Sequence, residues 1–568
     1  MRYTIYHQKK AQNLIHVKLE VQSEGEETVL WLPRWRPGRY ILTDFVQYIR
    51  DIQIKDGNGN ELSFQKNGIS SWVVNTKSVS EIEVNYAFYV NLYDAGSSWI
   101  TDEMLYVNPV NLLMYTESSM NNNVSLKLDH DPEMQEAINL PIENGVYVAK
   151  DFHELVDTPF IVSYGLIRHE FEVEGVHFRL FFEGNVNLDL AKIETDIVNY
   201  TKVQFEAMGS FPVDKYDYYF LIPPYDKYHG VEHQNSTVVA IGPDYKVMDP
   251  EVYNELMGVS SHELFHTWNV KLIRPIEMTP YDYQKENFNK LGYVTEGVTT
   301  YYGDLFLKRS GFFDVKGYFK ELETTFKKHF ENEGRFHKCV ADASYDTWID
   351  GYKVGIPHSK TNIYTEGSLT ALMTDLSIRL NTNHEKSLDD VMVKLYNDFG
   401  KKGKGYSEED YQRVVNELGG DLTQSIFENH IYGVKDFEPA LTHLLSQFGV
   451  EMYAQPNSDL MIRNFGIQSN KTQKTLIDKL VPNSNAAKAG LLQDDVILSI
   501  NGYQCANSNI QDLADQDEVE IIVNRQSQIH AFVVPKFKKG YYPERKLRMK
   551  NSISKTEESN LKSWFKLV

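Results

Sequence analysis

The stretch "SSHELFHTW", residues 260–268, sets two histidines four positions apart with a glutamate beside the first. At about 100° per residue, His262 and His266 project from nearly the same face of a helix, and Glu263 lies beside that face. Zinc needs neutral imidazoles converging on one point, and a rigid helix with this spacing supplies two of them without any ordering of a loop. The adjacent carboxylate then reaches a water on the metal. H-E-x-x-H also occurs by chance in long chains, so the rest of the sequence has to decide. A catalytic zinc takes three protein ligands and leaves one position for water. The two cysteines, Cys339 and Cys505, are far apart in the sequence, which leaves His, Asp or Glu as the third ligand. "LGYVTEGVTTYYGDLFLKR", 291–309, places Glu296 thirty positions after His266 and ahead of a helix. An acidic residue there has an ordinary explanation too, because the first turn of a helix favours negative charge.

At 568 residues the chain exceeds what one hydrophobic core organises, and several domains are expected. Residues 1–165 alternate with period two, as in "NLIHVKLEV", "SEIEVNYAFYV" and "NVSLKLD", and read as an antiparallel β domain. From 166 to 452 the texture is mainly helical, with Ser- or Asp-capped segments such as "SLDDVMVKLYNDF" and "SEEDYQRVVNELGG". One exception is "YDYYFLIPPYDKYHGVEHQNSTVVAIG", which predicts two strands flanking a loop "HGVEHQNS" at 229–236. Short strands return over 453–537, and 538–568 is a locally basic tail. That tail is read as solvated, or as a strap packing through Trp564 and Phe565. The 58 Lys and Arg against 79 Asp and Glu leave a net charge of −21, which disfavours nucleic acid and anionic membranes as partners. No apolar run reaches the length of a signal peptide or a membrane span, and the expectation is a cytoplasmic protein.

Two resemblances add to this reading. Residues 453–537 resemble a PDZ domain, on Pro482, on "AAKAGLLQDDVILSINGYQ" (486–504) and on the closing strands. Its peptide groove is expected beside "NFGIQS", 464–469, filled by a peptide partner or by the protein's own chain. "HELFHTWNVKLIRP", "TEGVTTYY" and "LPRWRPGRYILTDF" (32–45) resemble the glycyl aminopeptidase family of gluzincins. Leu272 departs from that pattern, where a basic residue is expected.

The resemblance implies a multidomain chain. It has an N-terminal antiparallel β domain, a mainly α-helical thermolysin-like (gluzincin) catalytic domain and a C-terminal PDZ domain. It further implies a zinc aminopeptidase acting on peptides with a free N-terminus, with a preference for Gly or Ala. Zinc is expected on His262, His266 and Glu296, with Glu263 as the general base. By the same resemblance Glu232 binds the substrate's ammonium, Gly230 lets backbone approach the substrate, and Tyr364 stabilises the oxyanion. The rivals are a zinc endopeptidase that holds protein C-termini on its PDZ domain, and a peptide-binding scaffold with a vestigial metal site.

Overall fold

The structure, a computed structural model, describes residues 1–8, 12–353, 355–470 and 472–566. The alternating segments near the N-terminus form strands, with Ile15, Val17, Leu19 and Val21 of Leu14–Gln22 all buried on one face. A seven-stranded sheet, a four-stranded sheet and a three-stranded sheet share this unit. Its pairing departs from the expected all-antiparallel order at one place. Arg2–Tyr6 runs parallel to Val124–Asp129 while pairing antiparallel with Leu14–Gln22. Pairs so distant in sequence have no local turn to signal their direction.

The following unit opens on a five-stranded mixed sheet, in the order Ile167–Val173, Val176–Glu183, Lys215–Leu221, Ser236–Gly242, Lys227–Glu232. Every residue of Ser236–Gly242 is buried, as expected where both faces of a sheet are covered. One face packs on the N-terminal unit through Tyr106, Ile161, Phe181, Tyr219 and Val238. The other carries the helices, including Leu190–Met208, Pro250–Phe265, Thr299–Arg309 and Thr365–Asn381.

The expected loop "HGVEHQNS" is largely strand. Residues 229–232 belong to the edge strand Lys227–Glu232, paired antiparallel with Ser236–Gly242, so only 233–235 turn. The reason is its position. An edge strand whose open side borders a polar site has no need for apolar alternation.

A ribbon of Val450–Gln455 and Glu544–Met549 brackets a small C-terminal unit with its own core, built around Phe465, Ile497, Ile521 and Val534. Within it, the helix Asn485–Ala489 ends on Gly490 at φ 101°. The strand Val496–Ile500 turns through Asn501 and Gly502, both at positive φ, as a two-residue hairpin requires. The final helix, Lys555–Phe565, returns to the main core, where Trp564 and Phe565 are fully buried against Tyr318. Among the described residues no helix is long and apolar enough to cross a membrane.

Candidate active site and metal centre

The helix Pro250–Phe265 starts with proline at its first turn and lies between the edge strand, its neighbour Ser236–Gly242 and two other helices. Gly303 brings the helix Thr299–Arg309 so close that a Cβ there would lie 3.2 Å from the His262 Cβ. His266 caps the C-terminal end, and its Nδ1 donates to the Asn269 carbonyl at 2.7 Å. That bond holds the ring with Nε2 turned toward His262 and Glu296, the nitrogen a metal ion would bind in place of a proton. The Asn269 side chain in turn donates to the Val294 carbonyl (2.9 Å) and to Thr299 Oγ1 (3.1 Å), tying the end of this helix to the next element.

Glu296 lies in that next element, inside a single π-helical turn, Tyr293–Val298, that runs into Thr299–Arg309. Such turns recur at functional sites because they aim a side chain that a regular helix would misdirect. Gly297 packs against Gly367 of Thr365–Asn381, and a Cβ on either would overlap the other's backbone. Glu296 Oε2 lies 3.5 Å from His266 Nε2 and 3.8 Å from His262 Nε2, and the two Nε2 atoms are 3.0 Å apart. Tetrahedral ligands about 2.0–2.1 Å from a zinc ion stand roughly 3.3 Å from one another. The two nitrogens and one oxygen therefore fit a zinc ion in both spacing and chemistry. The His262 side chain is 19 % exposed against 2 % for His266, so the cluster opens on the His262 side.

Burial pushes the His262 imidazole down to about 3, and the neighbouring His266 adds to the effect. Burial also opposes a charged His266, but the Glu296 carboxylate outweighs it and holds that imidazole up at about 10. Burial raises Glu296 as well, yet the two histidines and the Tyr40 hydroxyl bring it below the usual range. The cluster thus keeps an ionised carboxylate facing the imidazoles.

Two further carboxylates converge here. Glu263 and Glu232 each lie within 4.8 Å of His266, ligand atom to ligand atom. Both are buried, and Glu263 Oε2 and Glu232 Oε1 have no hydrogen-bond partner among the described residues. A Cβ at Gly230 would overlap Glu263 Oε1, and one at Gly38, which sits at φ 85°, would overlap the Glu232 carboxylate. Burial pushes Glu263 well above the ordinary carboxylate range, with Glu232 and Glu296 adding to it. Tyr364 stands at the start of Thr365–Asn381 and shares a hydrogen bond with Tyr352. Burial and then the Glu296 carboxylate raise its phenol. The structure therefore brings His262, His266, Glu296, Glu263 and Glu232 together, with Gly230 against Glu263 and Tyr364 on the Glu296 side.

The N-terminal unit supplies what single-sequence reasoning missed. Within "WRPGRY", 35–40, the Tyr40 hydroxyl donates to Glu296 Oε1 at 2.8 Å and leaves Oε2 for the histidines. Gly38 faces Glu232, and the buried Arg36 reaches His229 of the edge strand at 3.4 Å. Trp35 anchors the segment, its ring 5.0 Å from that of Trp348 and 5.6 Å from that of Tyr281. The sequence marks this segment only by its resemblance to the family's N-terminal region, and nothing local to it points at a glutamate 256 positions away.

Comparison with known proteins gives a family for two regions. Residues 255–370 match the M61 glycyl aminopeptidase model, and residues 2–164 match the peptidase M61 N-terminal domain. The chain carries peptidase M61 domains. A peptide hydrolase is accordingly its coarse function. The M61 match at 255–370 spans His262, Glu263, His266, Glu296 and Tyr364, and the N-terminal match spans "WRPGRY". A crystal structure of an aminopeptidase N family protein from Idiomarina loihiensis shares the fold, with a TM-score of 0.91 at 24 % identity over 99 % of each chain. An M1 zinc metallopeptidase from Deinococcus radiodurans aligns over 77 % of this chain and 94 % of its own, with 13 % identity and a TM-score of 0.49. No curated protein matches this chain.

Proposed function

We propose that the M61 chain is a zinc-dependent aminopeptidase that removes small residues such as Gly or Ala from peptides with a free N-terminus. One observation carries this reading. His262, His266 and Glu296 face a common point, and the buried Glu263 and Glu232 beside it each keep an oxygen without a protein partner. Leaving a buried carboxylate oxygen unpaired is costly, so both are best explained as reserved for groups from outside the chain.

A zinc ion held by His262, His266 and Glu296 supplies Lewis-acid activation of water and of the scissile carbonyl. Glu263 takes the proton of the attacking water and returns it to the leaving nitrogen. Burial raises its pKa, which makes the ionised carboxylate a stronger base toward the water proton. Glu232 pairs with the substrate's α-ammonium in a charge-assisted hydrogen bond. An N-blocked peptide would leave that carboxylate buried and unpaired. Tyr364 donates its phenolic hydrogen to the developing oxyanion, and its raised pKa keeps that hydrogen in place. Gly38 and Gly230 let backbone lie against the two carboxylates without a clashing Cβ.

The C-terminal unit is read as PDZ-like, on its Gly490 cap and its Asn-Gly hairpin. Gln468, in the strand Ile467–Ser469, donates to the Glu331 carbonyl of the helical unit, which supports a groove that serves the protein's own cleft. The test of the amine anchor is Glu232→Ala. It is expected to lose roughly 10- to 100-fold in kcat/KM on free alanyl and glycyl peptides with zinc retained. An unchanged rate on those peptides would remove Glu232 from this role.

A further inference from the structure

A cavity of about 190 Å³ lies between the helical unit and the C-terminal unit. Tyr352 and Tyr364 of the helical unit line it, as do Lys479 and Gln493 of the C-terminal unit. We propose that this cavity receives the leaving-group end of a short peptide and that Lys479 binds the peptide's free carboxylate. Di- and tripeptides with an unmodified C-terminus are then the preferred substrates, a conclusion that rests on the aminopeptidase reading above.

The first argument is position. The Tyr40 backbone N–H donates to the Tyr352 hydroxyl at 3.4 Å, and the Tyr40 side chain donates to Glu296, so the cavity begins next to the candidate metal cluster. Glu232, Glu263 and His266 hold their ligand atoms within 4.8 Å of one another, and the Glu296 carboxylate is near enough to Tyr364 to raise its phenol. Tyr364 also lines the cavity, so a peptide anchored by its amine at Glu232 and lying across the cluster to Tyr364 enters it.

The second argument is charge. Lys360, in the cavity wall, is paired with Asp350 at 3.3 Å, and Lys338 with Asp346 at 2.5 Å. Lys479 has no ion-pair partner among the described residues. His358 is not a second cation here, because burial lowers its pKa and the nearby Lys479 lowers it further. Among the described residues the wall thus carries one uncompensated ammonium, the complement of one carboxylate.

The third argument is size and rigidity. A space of about 190 Å³ equals roughly six waters, room for one or two small residues and no folded partner. The hairpin that carries Lys479, Ile467–Ser469 with Ile477–Leu480, is pinned to the helical unit at two points. His358 Nε2 donates to the Leu480 carbonyl at 3.1 Å, and Gln468 donates to the Glu331 carbonyl at 3.3 Å. The cation is therefore held over the cavity by the fold.

The test is kcat/KM on Ala-Ala-Ala as the free acid and as the C-terminal amide, with wild type, Lys479→Ala and Lys479→Arg. The wild type is expected to favour the free acid about tenfold, through KM more than kcat. Lys479→Ala is expected to bring the ratio near one, and Lys479→Arg to restore most of it. Equal rates on acid and amide in the wild type would overturn the proposal, and that comparison needs no variant to fold. An undiminished preference in Lys479→Ala would overturn it as well. Failure of the aminopeptidase reading would look different, as equal cleavage of N-acetylated and free-amine peptides whatever their C-terminus.

Discussion

At the scale of single residues, the centre holds specific buried atoms without partners among the described residues. Glu263 shows this most clearly, with one oxygen against Gly230 and the other unpaired. Glu263→Gln preserves shape and removes the proposed base. It is expected to retain zinc while losing about 10²- to 10⁴-fold in kcat, measured on the same metal-quantified preparation. Tyr40 acts one step out, because its bond to Oε1 orients the carboxylate whose other oxygen faces the histidines. Tyr40→Phe should weaken zinc affinity roughly 10- to 100-fold, read by competition with a fluorescent chelator. An unchanged affinity would mean that Gly297 packing alone orients Glu296. The histidine pair was legible in the sequence because helical spacing encodes its direction. Tyr40 was not, since its target arrives through tertiary packing.

At the scale of elements, the close contact of Gly297 with Gly367 sets how near the Glu296 turn approaches the helix that begins at Tyr364. The segments "SLDDVMVKLYNDF" and "SEEDYQRVVNELGG", singled out by their capping and spacing, both form helices, because each carries an apolar stripe and a Ser cap closed as a capping box. The edge strand was misread for the opposite reason. In Lys227–Glu232 only Val231 is a buried apolar residue, so its pattern resembles a polar loop while its backbone pairs fully with Ser236–Gly242.

The ribbon that carries the C-terminal unit depends on another carboxylate. Glu544 accepts from the Ser458 backbone N–H at 3.0 Å and from the Gln455 side chain at 3.1 Å. Burial works against its charge, but these bonds and Lys546 outweigh it and hold the carboxyl down at about 2. A depressed folded-state pKa adds stability that is fully present above the unfolded value, near 4.3 for glutamate, and is lost as pH falls toward about 2. Glu544→Gln should therefore flatten the loss of stability between those pH values in urea titrations. An unaltered slope would place the acid sensitivity elsewhere.

At the scale of the whole molecule, the site is assembled from segments that lie far apart in the sequence. The N-terminal unit supplies Gly38 and Tyr40, the sheet edge supplies Glu232, and two helices supply the candidate metal ligands. The final helix closes the helical core, where Trp564 Nε1 donates to the Tyr301 hydroxyl at 3.0 Å and Arg379 donates to the Ser563 carbonyl at 2.8 Å. Trp564→Ala should cost about 3–5 kcal/mol in chemical denaturation, in line with removing a fully buried indole. A loss below about 1 kcal/mol, the range of surface substitutions, would show that this helix contributes little to the core.

Periodicity located the β, helical and C-terminal β regions because each repeats its signal over many residues. It could not supply the parallel pairing of Arg2–Tyr6 or the insertion of "WRPGRY" into the centre, which depend on contacts more than a hundred positions apart. The central claim, a zinc site that selects free amines, is tested most directly on the wild-type protein. Zinc content is measured together with hydrolysis of alanyl and glycyl peptides carrying a free or an acetylated N-terminus. The account predicts about one zinc per chain, activity lost on chelation, and free-amine peptides cleaved at least roughly tenfold faster. Equal cleavage of both forms, or full activity without metal, would contradict it.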